Sequence, residues 1–517
     1  MFHKLIFSIF LLQAVSSLNI AVYLNLVGKS HLTFVSSLID ILNERGHNVD
    51  LLISRLNTGF EYEGVTKARR VLAFEFNGTS PWLSKPKHLS DPFEEAPLFN
   101  LPQFYRINTE LCRVGLQSGV PLAFLHEGKY DVMLASQYEY CGVILAKAAG
   151  INSVIGYTAT NILPTQAIST GLPNSPNWIT SNLDSDKGSL SLWGRLKRLY
   201  RWAEFSMSSR SGLIQIQTEL AREYFGQQFP DVEQLERNLD LVFVNSNEFV
   251  EIPRVLSPKI VYIGGAATSP AKRVSEDFDA LLNTQCKGTV LISFGTQVGR
   301  VPAKMISRRV KEAIIHSAKE LNQYNFVFKY ELQPEDGAMF SNVTNLYLAN
   351  WVPQKDLLFD GRISAFVSHM GLNSLLESSQ AGVPMVSIPL FADQGHNARC
   401  AARLGTGLVL EKTSFTAIEL TDALTKVLQV DSFKTNAHKI AGMLRNQPNA
   451  MKERFIQWTE FAATNKDLHR VFNLPEAEAT FLSYYCFDLA FLIISLFSAG
   501  LYTSYQTLLW LSKIHLK

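Results

Sequence analysis

Short apolar runs alternate with amphipathic stretches along most of this 517-residue chain. NIAVYLNLV, starting at Asn19, reads as a buried strand, and HLTFVSSLIDILNERG repeats its apolar residues at helical spacing until Gly46 stops it. NVDLLI, YDVMLAS and NSVIGY are further strands of the buried kind. Residues 160–240 are less regular, with TGLPNSPNW and SNLDSDKGS as loops. The alternation then resumes through LDLVFVNS, TVLISFG, the helical AKMISRRVKEAIIHSAKELN, FVFKY, NLYLANW, ISAFVSH and VPMVSIP. This order predicts parallel sheets covered by helices, an α/β architecture. The chain is longer than one ordinary core, and the Pro/Gly punctuation of EIPRVLSPKIVYIGG, residues 251–265, predicts a boundary between two domains.

Both ends depart from that pattern. MFHKLIFSIFLLQAVSSLN has Lys4, an apolar stretch from Leu5 to Val15 and then two serines, which predicts a cleaved signal peptide over residues 1–18. The last segment, FLSYYCFDLAFLIISLFSAGLYTSYQTLLWLSKIHLK, predicts a membrane anchor over 480–505 and a cytosolic tail over 506–517. Lys513 and Lys517 suit the cytosolic side, and Asp488 suits the opposite interface. Lys513 and His515 also have spacing resembling a dibasic retrieval signal. The sequons at Asn77 and Asn342 fit a secretory lumen. Five scattered cysteines predict neither a disulfide framework nor a metal site. Lys plus Arg (48) nearly balances Asp plus Glu (46), and with no basic run this excludes nucleic acid as the partner.

Candidate chemistry gathers at strand ends, where ligands bind in such folds. In FVSHMGLNSLLESSQAGVPMVSIPLFADQGHN, residues 366–397, His369 ends a strand and Gly371 permits close approach. The helix that follows opens with unpaired amides suited to phosphate. Asn373 and Glu377 share one face of it. Trp351 follows another strand with Gln354 three residues on, and is placed to stack on a planar base. Gly295 and Thr296 end a third strand, and Asp393 with Gln394 suits sugar hydroxyls. Singly, each has a bland reading as a cap, a core Trp or a solvated Glu; together they suit a sugar nucleotide. In LVGKSHL, His31 stands at a helix start after the first strand, where the macrodipole favours a neutral ring able to accept a proton. His47, in ERGHN, reads as structural, and the DSD run at 184–186 as a solvated loop.

The run from Trp351 to Gln394 resembles the signature of the UDP-glycosyltransferases, in particular the membrane-anchored animal UDP-glucuronosyltransferases. VGKSHL with LNERGHNV, VFVNSNEF with PKIVYIGG, and the two ends extend the resemblance over nearly the whole chain. It implies a GT-B fold: an acceptor-binding Rossmann-like domain over 19–255 facing a UDP-sugar-binding one over 256–475. It implies that Trp351 stacks on uracil and that Gln354 and Glu377 hold the ribose. Thr296, His369, Gly371, Asn373 and Ser374 would hold the diphosphate, while Asp393 and Gln394 read the sugar. His31 would be the base in an inverting transfer from UDP-glucuronate or UDP-glucose to small lipophilic acceptors at the endoplasmic reticulum membrane, without a metal. The resemblance leaves open homo- or hetero-oligomers. Two departures stand out. The family's supporting Asp is absent from YDVMLASQYEYCG, where Ser136 or Gln137 takes its place and Glu139 is the substitute carboxylate, with Asp131 nearby. Met370 replaces a small residue, so its side chain must point away from the diphosphate. The missing Asp motivates an alternative, a non-catalytic relative that binds UDP-sugar or lipophiles or associates with active homologues.

Overall fold

The computed structural model describes residues 17–26, 28–56, 66–76, 92–93, 101–162, 166–167, 170, 172, 191–268, 270–284, 286–295, 306–475, 481–484 and 486–515. The expected signal peptide lies outside them up to residue 16, as do Asn77 and the DSD run.

Strands β1 (Asn19–Asn25), β2 (Asn48–Leu56), β3 (Arg70–Phe76), β4 (Val132–Ser136), β5 (Val154–Thr158), β6 (Leu241–Val244) and β7 (Ile260–Tyr262) form a parallel sheet. Its order is β3-β2-β1-β4-β5-β6-β7. Alternate side chains of β1 serve two cores: Ile20, Val22 and Leu24 pack with Val35, Leu38 and Ile39 of the helix Lys29–Glu44, whereas Ala21 and Tyr23 face the cluster around Cys112, Cys141 and Ile144. A second parallel sheet comprises β8 (Thr289–Ser293), β9 (Asn325–Lys329), β10 (Leu346–Ala349), β11 (Ile363–Ser368), β12 (Met385–Ser387) and β13 (Gly407–Val409). Its order is β10-β9-β8-β11-β12-β13. In each sheet the winding reverses at one place: between β1 and β4, and between β8 and β11.

The sheets correct the expected partition. β7 lies past residue 255 yet pairs with β6, because Val242, Phe243 and Val244 register with Ile260, Val261 and Tyr262. The helix Met451–Thr464 belongs to the first core, although it falls within 256–475. Phe455 meets Phe243 edge-to-face at 5.2 Å, Ser153 Oγ donates to Ala462 O (2.9 Å), and Glu460 accepts from Arg45 (3.0 Å). The amphipathic stripe of this helix is completed by the first sheet, and so the chain crosses back. Cys112 and Cys141 form a disulfide with Cα atoms 5.4 Å apart, which the scattered cysteine spacing did not predict.

The helix Phe487–His515 is exposed from Phe487 to Ile514 and, over those residues, is long and apolar enough to cross a membrane. It begins later than the expected 480–505 span and continues to His515 through most of the expected tail. Asp488 lies in its first turn, where a carboxylate suits the macrodipole and is spared the bilayer centre.

Phe455→Ala tests the crossing back. It empties a fully buried aromatic site, so unfolding free energy should fall by about 3–5 kcal/mol. Hydrogen exchange should accelerate in β5 and β6 of the first sheet; unchanged exchange there would place the helix elsewhere.

Candidate active site

The second switch point is built around His369. β11 ends at Ser368, and the chain turns through Met370 in a left-handed conformation (φ 63). The Met370 side chain is buried in the core cluster with Leu372, Leu375 and Leu376. Its carbonyl accepts from Asn397 Nδ2 (2.9 Å). The His369 ring lies between two glycines: a Cβ on Gly295 would stand 2.5 Å from Nε2, and one on Gly371 2.8 Å from it. Gly295 is also left-handed (φ 81), so side chains are excluded there twice over. Burial pulls the His369 ring down to about 4, against a Ser293 backbone hydrogen bond and with help from the Lys329 charge, so the imidazole is neutral at pH 7.

Helix Leu372–Ala381 starts at Gly371 without a side-chain cap, leaving its first amides for an anion. Asn373 Oδ1 accepts from Asn245 Nδ2 (3.4 Å), a residue just past β6 of the other sheet. Gln354 Nε2 donates to Glu377 Oε2 (2.7 Å) and Ser374 Oγ (3.2 Å), so the three residues expected at the ribose and diphosphate form one cluster. Burial raises the Glu377 carboxyl. Trp351 is 62% exposed at the end of β10, with Lys329 Nζ 4.5 Å from its ring centroid. Asp393 is buried and accepts from Asn397 Nδ2 (2.9 Å), and burial raises its pKa. Gln394 Oε1 accepts the Leu390 and Phe391 amides (2.8 and 3.1 Å), which turns its NH₂ into the group available to a ligand. Thr296 lies outside the described residues.

The first switch point holds His31, in the opening turn of helix Lys29–Glu44 beside β1. Both ring nitrogens are enclosed and without a hydrogen-bond partner among the described residues. Burial alone pulls the ring down to about 4. The neighbour it does have is Tyr138, just past β4, whose ring stands edge-on at 4.9 Å and 80°. The Tyr138 hydroxyl is bonded to Thr158 and Thr160 (3.3 and 3.1 Å), and the charge of Asp393 from the opposite sheet helps burial push it up to about 12.

Glu139 does not take the missing carboxylate's place. It accepts the Cys141 amide (2.6 Å) and lies beside Tyr23 and Gln217, on the face of the sheet opposite helix Lys29–Glu44. Burial raises it to about 7. Gln137 turns the same way, donating to Glu236 (3.1 Å), and Asp131 accepts the Asn19 amide (2.8 Å) at the far end of the strands.

Sequence reasoning missed Tyr138 and two lysines. Lys329 ends β9, and burial, then the charge of Lys29 from the first sheet, holds its ammonium below the usual range. A lone Lys closing the apolar run FVFKY was the available signal.

It also missed a buried junction. Glu251 Oε1 is hydrogen-bonded to His396 Nε2, while Glu251 Oε2 accepts from Asn161 (2.6 Å) and Ser246 (2.8 Å), and Arg403 donates to the Glu251 carbonyl (2.9 Å). With Cys400, these make three potential metal ligands within 4.8 Å of one another. The direct carboxylate–imidazole bond makes this an ion pair joining the segment after β6 to the helix that carries Gln394. Although burial opposes both charges, His396 holds Glu251 down at about 2, and Glu251 lifts His396 to about 10.

A profile of the UDP-glucoronosyl and UDP-glucosyl transferase family matches residues 27–511. The chain belongs to that family. Among individual relatives, it is 26% identical over 456 residues to Bos taurus UDP-glucuronosyltransferase 3A1, covering 84% of this chain and 82% of that one. It is 25% identical over 489 residues to human 2-hydroxyacylsphingosine 1-beta-galactosyltransferase, covering 94% of this chain and 86% of that one. The solved glycosyltransferase of kitacinnamycin superposes with a TM-score of 0.61 at 17% identity, over 86% of this chain and 99% of that one, and supports the GT-B fold. A UDP-sugar-using hexosyltransferase is thus the setting for both switch points.

The junction makes a pH prediction. Glu251, depressed in the fold, stabilises above about pH 4.5, and that contribution is lost as pH falls toward 2. His396, raised in the fold, stabilises fully below about pH 6.5, and that contribution is lost as pH rises toward 10. Between pH 6.5 and 10 the Tm of the wild type should therefore decline more steeply than that of Glu251→Gln. Breaking the pair should itself cost about 3–5 kcal/mol at pH 6. Parallel Tm–pH curves would contradict the assignment.

Proposed function

We propose that this family member transfers a glucuronosyl or glucosyl group from its UDP-sugar to a hydroxyl of a small lipophilic acceptor, with inversion and release of UDP. Residues before the segment 251–265 form the acceptor side, and those after it, up to the returning helix, the donor side. Trp351 offers a face to uracil. Glu377, held by Gln354, accepts from the ribose hydroxyls. The helix amides after Gly371, with His369, Asn373, Ser374 and Thr296, receive the diphosphate, and Lys329 and Lys29 add positive charge from either side of the cleft. Asp393 accepts from the sugar hydroxyls and the Gln394 amide donates to them. No metal is assigned a role.

His31 is the base. Neutral and with unengaged nitrogens, it removes the acceptor proton as the acceptor oxygen attacks the anomeric carbon from the side opposite UDP. Tyr138 is a positioning residue that holds the ring where the family carboxylate would. The observation that carries this reading is the contact of His31 with Tyr138, whose hydroxyl in turn feels the charge of Asp393: the base and the sugar-reading carboxylate flank one tyrosine. With the signal peptide expected from the sequence, exposed Asn342 and an apolar C-terminal helix, the enzyme is read as lumenal and anchored in the endoplasmic reticulum membrane.

In membranes supplied with UDP-glucose or UDP-glucuronate and a panel of phenols, sterols and flavonoids, His31→Ala should slow UDP release by about 10²–10⁴-fold. Tyr138→Phe should keep most of the activity and Tyr138→Ala should lose it. Undiminished turnover in His31→Ala would remove the base from the mechanism. Because only the neutral ring accepts a proton, the acid limb of wild-type kcat/KM should fall near pH 4. A limb at the usual histidine value, near 6.5, would show a ring that is solvated in the working enzyme.

A further inference from the structure

The helix Leu192–Ser209 is turned inside out. Its sequence, LWGRLKRLYRWAEFSMSS, buries Gly194, Arg198 and Ser209 and exposes Leu192, Trp193, Leu196, Leu199, Tyr200 and Met207. Trp193 is 78% exposed and Leu192 71%. At 3.6 residues per turn, these six side chains fall within one arc of about 120°. Exposed Arg195 borders that arc on one side, and exposed Lys197 and Arg201 on the other. Four basic residues on this helix stand against one acidic residue, Glu204. Singly exposed apolar residues are ordinary on a surface; a continuous stripe edged by cations is the pattern of a helix lying in the boundary between water and lipid. Trp and Tyr favour that depth, and the cations can reach lipid phosphates.

We propose that this face docks on the bilayer, its apolar stripe set at the boundary between headgroups and acyl chains. The inference rests on the reading that helix Phe487–His515 anchors the chain, since that anchor keeps a bilayer within reach. A second copy of the chain is the poorer occupant, because a twofold interface on this stripe would bring the same cations together. Two attachments, one on each side of residues 210–475, fix the first domain against the membrane and hold its acceptor side near the phase where lipophilic acceptors dissolve.

The test uses the full-length protein in nanodiscs containing anionic lipid, with Cys286 and Cys486 replaced by Ser. An environment-sensitive fluorophore is placed in turn on Trp193→Cys, Leu196→Cys, Tyr200→Cys, Phe497→Cys in the anchor, and Arg308→Cys as a solvent control. At 193, 196 and 200 we expect a blue shift and loss of emission when the lipids carry brominated chains, with neither change at 308. Quenching at 497 but at none of the three helix sites overturns the helix proposal alone. Quenching at none of the four overturns the anchor reading with it. A blue shift at the three sites without bromine quenching means that protein covers the face, and also overturns the proposal.

Discussion

Parallel strands can be joined only by crossovers, and where the direction of winding reverses, two neighbouring strand ends are left uncovered. This constraint places the chemistry of the molecule. β1 sits between β2 and β4, and β8 between β9 and β11, so each sheet has one such opening. His31 follows β1 and meets Tyr138, which follows β4. His369 follows β11 and rests on Gly295, which follows β8. Neither pair is close in sequence; the winding of the sheet creates each.

Burial gives both histidines the same charge state in different settings. Each is pulled down to about 4 and is neutral at pH 7. His369 is wedged between the backbones of Gly295 and Gly371. His31 keeps its nitrogens unengaged. A carboxylate beside it would favour imidazolium before any acceptor arrived, whereas an aromatic neighbour fixes the ring without adding charge. The missing Asp is therefore compatible with the transferase reading, and the family match does not favour a non-catalytic role.

The two sheets are tied at two levels. Outside the cleft, helix Met451–Thr464 returns to the first sheet; beside it, Glu251 and His396 join the segment after β6 to the helix carrying Gln394. Asp393 also feels both of those charges. The group assigned to read the sugar is thus electrostatically coupled to the junction between the halves of the molecule.

Much of this was legible in the sequence, because period-2 and period-3.6 patterns report burial directly. The strand ends pointed to Trp351, Gln354, His369 and Glu377; the structure bonds Gln354 to Glu377, sets Lys329 against Trp351 and rests His369 on Gly295. What the sequence withheld was sidedness and distance. YDVMLASQYEYCG contains Tyr138 and Glu139 side by side, and only the fold shows that one faces His31 and the other the opposite core. The return of residues 451–464, and the pairing of Cys112 with Cys141, depend on contacts far apart in the chain. The central claim is a single displacement across the cleft, driven by a base on the first sheet. The most direct measurement is the anomeric configuration of the product formed from the α-linked UDP-sugar, read by NMR. The account predicts a β-linked product; an α-linked one would contradict it, since retention requires chemistry that His31 acting as a base does not supply.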